Sequence, residues 1–404
     1  MLVREVSLAR RLARETADYL SAHTPTTAMY DFVVVGVGPA GARVARRAAA
    51  AGYDVLALEK GTVGTPLACS GHVSTDVWDF VPEASRADLL QNRVYGANFR
   101  LGGPDSRSYP FYKSTEVSNV IDRVELDRTL ADAARAAGAD VREGHTVVGV
   151  DERPDGVTVT ARADGETLTF ETRLVAGCDG PVSRVRREIG LPEPAETLHG
   201  VLAFDGTPDN GDFVDVHLTV PRFFAWRIPR GDAGVEYGLA APPGTDVTGR
   251  FEELTDAYGA ETTHRCSGAI PIGPPARVTG DRTFLVGDAA AQTKPFTGGG
   301  ILYGMTAADH AVDAVDPDDP STLDTYERAW RDDLRREIRL GHAIRRAYSL
   351  PDPIQRLGLW ALDGEIGVHM DRPSSFFSAE HLRALVGSLW PGAGNEPDRP
   401  QSES

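Results

Sequence analysis

The chain has 404 residues, 41% hydrophobic and 25% charged, which suits a large core shared by two intimate domains. Its net charge is −17, and Lys60, Lys113 and Lys294 are its only lysines, so nearly all positive charge is arginine. That balance excludes general nucleic-acid binding. It points to a salt-loving host, where a screening length of about 3 Å at 1 M salt makes acidic self-repulsion tolerable.

Residues 2–20 form a predicted amphipathic helix with Leu2, Val6, Ala9, Ala13 and Leu20 near one face. No apolar run reaches the roughly 20 residues that span a bilayer, and the first residues lack a signal-peptide apolar stretch. After Met29 comes DFVVVGVGPAGARVARRAAAAGYDVLALEK. A strand at 31–35 leads into Gly36, Gly38 and Gly41, which make a tight turn opening a helix through Ala51. A second strand closes on Glu59. This is a complete βαβ unit carrying the G-x-G-x-x-G pattern in its full context. The helix N-terminus favours a pyrophosphate, and Glu59 stands where an acid accepts a ribose 2′-hydroxyl and repels a 2′-phosphate. FAD and NAD both fit that reading; NADP does not.

An irregular segment, GTVGTPLACSGHVS, follows. DRVELDRTLADAARAAGAD is a predicted helix with an apolar stripe at Val124, Leu126, Leu130 and Ala134. From 146 to 175 the pattern becomes a small antiparallel meander, with turns at Pro154-Asp155-Gly156 and Asp164-Gly165. A β-rich block spans 197–270, and RTFLVGDAA at 282–290 returns to the buried-strand style. A helix follows in GGGILYGMTAADHAVDAV, and 320–365 reads as helical and Arg-rich. The polar, Pro- and Gly-containing end is expected to be disordered. Cys69, Cys178 and Cys266 are far apart and show no C-x-x-C spacing, so no metal site or disulfide frame is expected, and a reducing cytoplasm is the simplest setting.

Three separated motifs carry a resemblance. Asp179-Gly180 is followed by Ser183 and Arg186; Gly287-Asp288 is followed by Pro295 and by Gly298, Gly299 and Gly300. With the first glycine turn, these resemble the FAD-dependent group that includes aromatic hydroxylases and geranylgeranyl reductases. The resemblance implies FAD as cofactor, with Asp288 accepting a hydrogen bond from a ribityl hydroxyl and Gly298–Gly300 at the flavin's pyrimidine edge. A helix opening near Ile301 would favour a reduced, anionic flavin there. The stretch SNVIDRVELDRTL is similar to a reductase-type segment and implies flavin contact by Arg123, whose other reading is a helix-surface ion pair with Asp127.

The stretch PRFFAWRIPRGD is similar to the aromatic-x-Trp-x-aromatic-Pro signature of geranylgeranyl reductases, with Phe224 replacing Tyr and Ile228 replacing Phe. On one strand face, Phe224, Trp226 and Ile228 suit an isoprenoid chain or, equally, a sandwich core. PLACSGHVS matches the family's Cys loop, placing Cys69 near the substrate side, with His72 as a second polar group. Cys178 reads as packing. Saturating an isolated alkene takes a proton as well as a hydride; Cys69 is the first candidate donor and Tyr303 the next.

The implied fold is α/β: a Rossmann-like FAD-binding domain (29–195 and 271–320) with an inserted antiparallel β-rich substrate domain (196–270), a C-terminal helical region (321–390) and a tail (391–404). The implied activity is FAD-dependent reduction of isoprenoid C=C bonds, most naturally in archaeal ether lipids. With a single dinucleotide fingerprint, electrons are expected from a visiting NAD(P)H or a ferredoxin. Location is expected to be cytoplasmic, with peripheral membrane contact open: the Arg cluster at 331–349 reads either as a head-group patch or as a solvated, internally paired helix. The family usually starts at a position matching Met29, so residues 1–28 are either a start-site artefact or an amphipathic anchor. Two rivals use the same scaffold: a monooxygenase of an aromatic or lipophilic substrate, and a non-catalytic flavoprotein.

Overall fold

The computed structural model describes residues 29–65, 69–361, 363–365 and 372–374. The predicted extension at 1–28 and tail at 391–404 lie outside the described residues. The first layer opens with β1 (Tyr30–Val35), α1 (Pro39–Ala50) and β2 (Val55–Leu58). β2 and the part of β1 from Phe32 to Val35 are continuous apolar runs, as strands covered on two faces must be. The chain then makes β3 (His72–Ser74), β4 (Leu90–Val94), β5 (Gly96–Arg100), β6 (Ser108–Tyr112) and β7 (Ser118–Ile121). It returns to the first layer through α2 (Arg123–Ala136) and β8 (Asp140–Arg142).

The Asp122 carboxylate caps α2 by accepting from the Glu125 amide at 3.0 Å. Leu126, Leu130 and Ala134 of the predicted stripe are buried, whereas Val124 is only half-buried and Arg123 and Asp127 take buried positions.

The meander is β9 (Thr146–Arg153), β10 (Gly156–Ala163) and β11 (Glu166–Gly177). Its second turn has Asp164 at φ 52° and Gly165 at φ 83°, the doubly left-handed geometry of a tight hairpin. The first half of β11 pairs antiparallel with β10, and its second half runs parallel to β1.

A second layer follows: β12 (Glu196–Asp205), β13 (Phe213–His217), β14 (Ala225–Pro229), β15 (Val235–Ala241), α3 (Val247–Tyr258) and β16 (Thr262–Ile272). Then β17 (Thr283–Leu285) runs parallel to β11, completing a seven-stranded sheet in the order β8-β2-β1-β11-β10-β9 with β17 beside β11. The chain closes with α4 (Ile301–Ala314), α5 (Leu323–Ala347), α6 (Asp352–Ala361) and β18 (Gly364–Glu365).

The second sheet is wider than the block at 197–270. Its order is β16-β12-β15-β14-β13-β5-β6-β18, so β5 and β6 join it from far upstream, with β5 parallel to β13. Neither GANFR nor SYPFY alternates cleanly, and Pro110 argues against a central strand, so no local cue marks this pairing. The block expected to be β-rich also contains the helix α3, whose start is capped by Asp246 and whose end is set by Gly259 at φ 61°.

On α5, Tyr326, Trp330 and Leu334 repeat every four residues and are almost wholly buried. Three of its arginines form ion pairs within the protein: Arg331 with Glu327 at 2.7 Å, Arg335 with Asp332 at 3.4 Å, and a buried Arg345 with Glu196 at 2.7 Å.

Candidate active site

Where the loops after β1, β11 and β17 meet the second sheet and the small sheet β3-β7-β4 lies a cavity of about 870 Å³, near the upper end for ligand pockets. One end is the glycine turn. Gly38, Pro39 and Ala40 line it, and the first turn of α1 has no side-chain cap, so its amides remain available to an anion. A Cβ on Gly38 would meet nothing within 4 Å, whereas one on Gly41 would fall 1.9 Å from the Gly36 carbonyl oxygen. Gly38 therefore keeps space open while Gly36 and Gly41 pack the turn tightly, behind the cavity wall. Glu59 also stands behind the wall: its Oε2 accepts from the Val37 amide at 2.8 Å and its Oε1 from Gly61 at 3.3 Å. An extended slot with two uncapped helix starts, at Pro39 and at Ile301, fits a dinucleotide carrying a pyrophosphate and an anionic ring.

The Asp179-Gly180 motif supports this end. Asp179 accepts from the Ser183 hydroxyl at 2.5 Å and from the Arg184 and Val185 amides at 2.6 and 3.0 Å. Arg186 then donates to the Ala289 carbonyl at 3.0 Å, tying this loop to the Gly287-Asp288 turn.

The middle of the cavity brings together Asp288, Gly298–Gly300, Arg123 and Cys69. A side chain on Gly300 would displace the Asp288 carboxylate, because its Cβ would lie 2.4 Å from Asp288 Oδ1. Burial pushes the Asp288 carboxyl up to about 6, with Arg123 pulling it the other way. Arg123 makes the expected ion pair with Asp127, though not on the helix surface. It forms a forked pair with Asp127 at 2.7 and 3.2 Å, yet it is buried and lines the cavity rather than the surface. Its guanidinium faces the Cys69 thiol. Burial raises that thiol above its ordinary range and Arg123 offsets only part of the rise, so Cys69 holds its proton at neutral pH. The sequence showed no basic neighbour for Cys69, since Arg123 is distant along the chain.

The far end is apolar. Phe224, Trp226 and Ile228 all line the cavity from β14 and the residue before it. Beside them in the same sheet, Phe99 and Phe111 of β5 and β6, and Val214 and Val216 of β13, also line the cavity, and no motif marks them. Phe224 stands edge-on to Trp226 at 5.9 Å and to Tyr348 at 6.0 Å. The Trp226 indole lies flat over Gly238, where an added Cβ would sit 2.3 Å from its Cε2 and Cζ2. Gly238→Ala must therefore push the indole into the cavity, a cost of about 1–3 kcal/mol by overpacking. FAD content is expected to stay normal while the KM for a long-chain substrate rises roughly tenfold; an unchanged KM would mean this wall does not touch the substrate.

Tyr303 does not reach the site. It is 2% exposed in the main core and does not line the cavity, with Arg372 as an electrostatic neighbour. Ile301 and Leu302 present α4 to the cavity instead, and the next residue lies about 100° further round the helix. Cys178 packs behind the glycine turn, as expected, and also touches the cavity. His72 is part of the lining, with its Nε2 2.7 Å from the Ser118 hydroxyl. Two further lining groups, Lys294 and Cys266, had no motif to mark them for this site.

A family model described as FAD binding domain matches residues 29–217. The chain is 32% identical over 341 residues to digeranylgeranylglycerophospholipid reductase 1 of Methanococcoides burtonii, covering 76% of this chain and 81% of that one. It is 31% identical to the digeranylgeranylglycerophospholipid reductase of Methanothrix thermoacetophila, over 76% of this chain and 84% of the other. Among solved structures it resembles a geranylgeranyl bacteriochlorophyll reductase-like protein from Thermoplasma acidophilum, with a TM-score of 0.78, 21% identity, and coverage of 90% of this chain and 97% of that one.

Proposed function

The chain belongs to the digeranylgeranylglycerophospholipid reductase family, and from that membership we infer its reaction: an FAD-dependent reductase, it saturates C=C bonds in the geranylgeranyl chains of archaeal ether lipids. The observation that carries this reading is the cavity itself, which joins a dinucleotide-shaped end to a slot walled by Phe224, Trp226 and Ile228. Bound FAD, once reduced, supplies the hydride. The uncapped start of α1 would hold its pyrophosphate, Asp288 a ribityl hydroxyl, and Gly298–Gly300 the ring edge. The apolar slot orients the chain and excludes water, and the Trp226 face stabilises positive charge developing on the alkene. Cys69 delivers the proton. We place the electron donor outside the chain, as a visiting NAD(P)H or a ferredoxin, since a single dinucleotide fingerprint is present. Anaerobic incubation of reduced holoenzyme with digeranylgeranylglycerophospholipid should add one pair of hydrogens per double bond by mass spectrometry. A hydroxylated product formed only in oxygen would assign the fold to monooxygenation instead.

The lipid must also enter. Among the described helices, α6 buries none of its residues. Ile354, Leu357 and Trp360 are 52%, 63% and 62% exposed, and Ile354 and Leu359 reach the cavity mouth. An apolar helix face that continues into a lipid slot reads as a bilayer contact that passes the chain inward. Replacing Leu357 and Trp360 together with Ser removes side chains worth about 1.5–3 kcal/mol each on burial. Co-flotation with liposomes in high salt should fall at least tenfold, with turnover of a detergent-dispersed substrate unchanged. Equal flotation of the variant would remove α6 from the contact.

A further inference from the structure

Lys294 is 5% exposed and lines the middle of the cavity, yet delivery of a hydride and a proton to the alkene does not call on it. It is one of three lysines in a chain that otherwise carries its positive charge as arginine. Lys60 is exposed and Lys113 half-buried, so Lys294 alone of the three is buried.

The loop that holds it is closed and pinned. The Lys294 amide donates to the Gly299 carbonyl at 2.9 Å, and the Gly298 amide donates back to the Lys294 carbonyl at 2.8 Å. The Thr293 hydroxyl donates to the Pro271 carbonyl, and the Tyr348 hydroxyl to the Phe296 carbonyl at 3.1 Å. Within this loop the lysine side chain folds back along Gly299, where an added Cβ would stand 2.9 Å from its Cε and 3.2 Å from its Nζ. The loop ends at Gly300, where the fourteen-residue helix α4 starts without a side-chain cap. A lysine charge and the positive end of a helix therefore meet at the Gly298–Gly300 turn.

The neighbouring charges give that cation a task. Among the described lining residues, Arg123 and Lys294 carry positive charge. Arg123 is forked to Asp127 at 2.7 and 3.2 Å. Asp288 stands against Gly300, so an anionic ring edge at this turn meets a like charge there. A lysine beside Gly299 offsets that repulsion.

We propose that Lys294 tunes the redox chemistry of the site: its ammonium stabilises the reduced, anionic flavin at the glycine turn and so raises the cofactor's reduction potential. The proposal rests on the reading that the ring edge of FAD lies at Gly298–Gly300. The oxidised ring is neutral; two electrons and one proton, supplied by the external donor, convert it to an anion. A cation held beside the ring therefore binds the reduced form more tightly than the oxidised one, and the potential rises by that difference in affinity.

The test is Lys294→Met in the holoenzyme, which keeps an unbranched side chain and removes the charge. Sulfite serves as the probe, because it adds its electron pair to flavin N5 and leaves the ring anionic with no donor or lipid present. Expected are normal FAD content, sulfite binding about tenfold weaker, and a midpoint potential lower by about 30 mV, the same tenfold converted for two electrons. An unchanged potential, or an unchanged sulfite affinity, overturns the proposal. If the Met variant does not hold FAD, Lys294→Gln takes its place with the same expectations. A yellow wild-type protein that forms no sulfite adduct overturns the proposal without any variant. Neither measurement uses lipid, so a protein that shows both shifts yet saturates no alkene counts against the reductase reading and leaves the role of Lys294 standing.

Discussion

Cys69→Ala is expected to yield a folded, yellow protein whose alkene turnover falls by about a thousandfold, within the usual range for a lost general acid. The substrate bond has no carbonyl to take up charge, so a hydride alone cannot complete the reaction and a proton must be placed on the neighbouring carbon. The cavity offers two acidic groups at its centre, Asp288 and Cys69. Asp288, raised by burial only to about 6, is mostly ionised at pH 7 and makes a poor donor. Cys69 is raised from an already higher starting point and stays protonated.

The sign follows from the direction of that shift. Activity that depends on the thiol is fully present at neutral pH and is lost as pH rises through the raised thiol range. Cys69→Ser should fare little better than Ala, since a hydroxyl is a far weaker acid. FAD absorbance and steady-state rates on the same preparation separate the two possible causes of loss. Undiminished turnover in a variant with full FAD would transfer the proton donor's role to another group.

Gly41→Ala is expected to give colourless protein with a lowered Tm. The added Cβ would stand 1.9 Å from the Gly36 carbonyl oxygen, and Gly36 cannot retreat: it holds φ 92°, and its own Cβ position is already 2.5 Å from the Cys178 carbonyl oxygen. The turn is therefore wedged between α1 and the end of β11, and relief must come from displacing the helix. Overpacking of this kind costs about 1–3 kcal/mol or more, and it misplaces the amides meant for the pyrophosphate. Gly38→Ala supplies the contrast. Its Cβ would touch nothing in the protein, so the apo Tm should hold while FAD binding weakens by intrusion into the ligand's space. A yellow Gly41→Ala protein with wild-type Tm would disprove this packing account.

The two glycine variants show how much of the site was legible in the chain. Spacing alone identified which glycines belong to the turn, but it could not say that Gly41 serves packing and Gly38 serves the ligand. Arg123 is similar. Its i, i+4 partner Asp127 was visible in sequence, whereas its burial beside Cys69 depends on a loop far upstream. Tyr303 was misplaced for a related reason: proximity along the chain to Gly300 was read as proximity to the site, and the turn of α4 carries it into the core. Lys294 had no motif at all, since a single lysine in a loop says nothing until its side chain is folded against Gly299.

By itself the sequence determined what rests on local rules: the βαβ unit, the meander and its turns, the helix of α2, and the aromatic run that leads into β14. Period, glycine placement and capping act within a few residues, where backbone sterics and short-range hydrogen bonds decide the outcome. Only the tertiary structure decided that β5 and β6 join the second sheet, that Cys69 meets Arg123 and Asp288, and that α6 stands at the cavity mouth. Those juxtapositions arise from long-range burial, in which many weak and non-directional contacts are satisfied at once, and no local pattern encodes them.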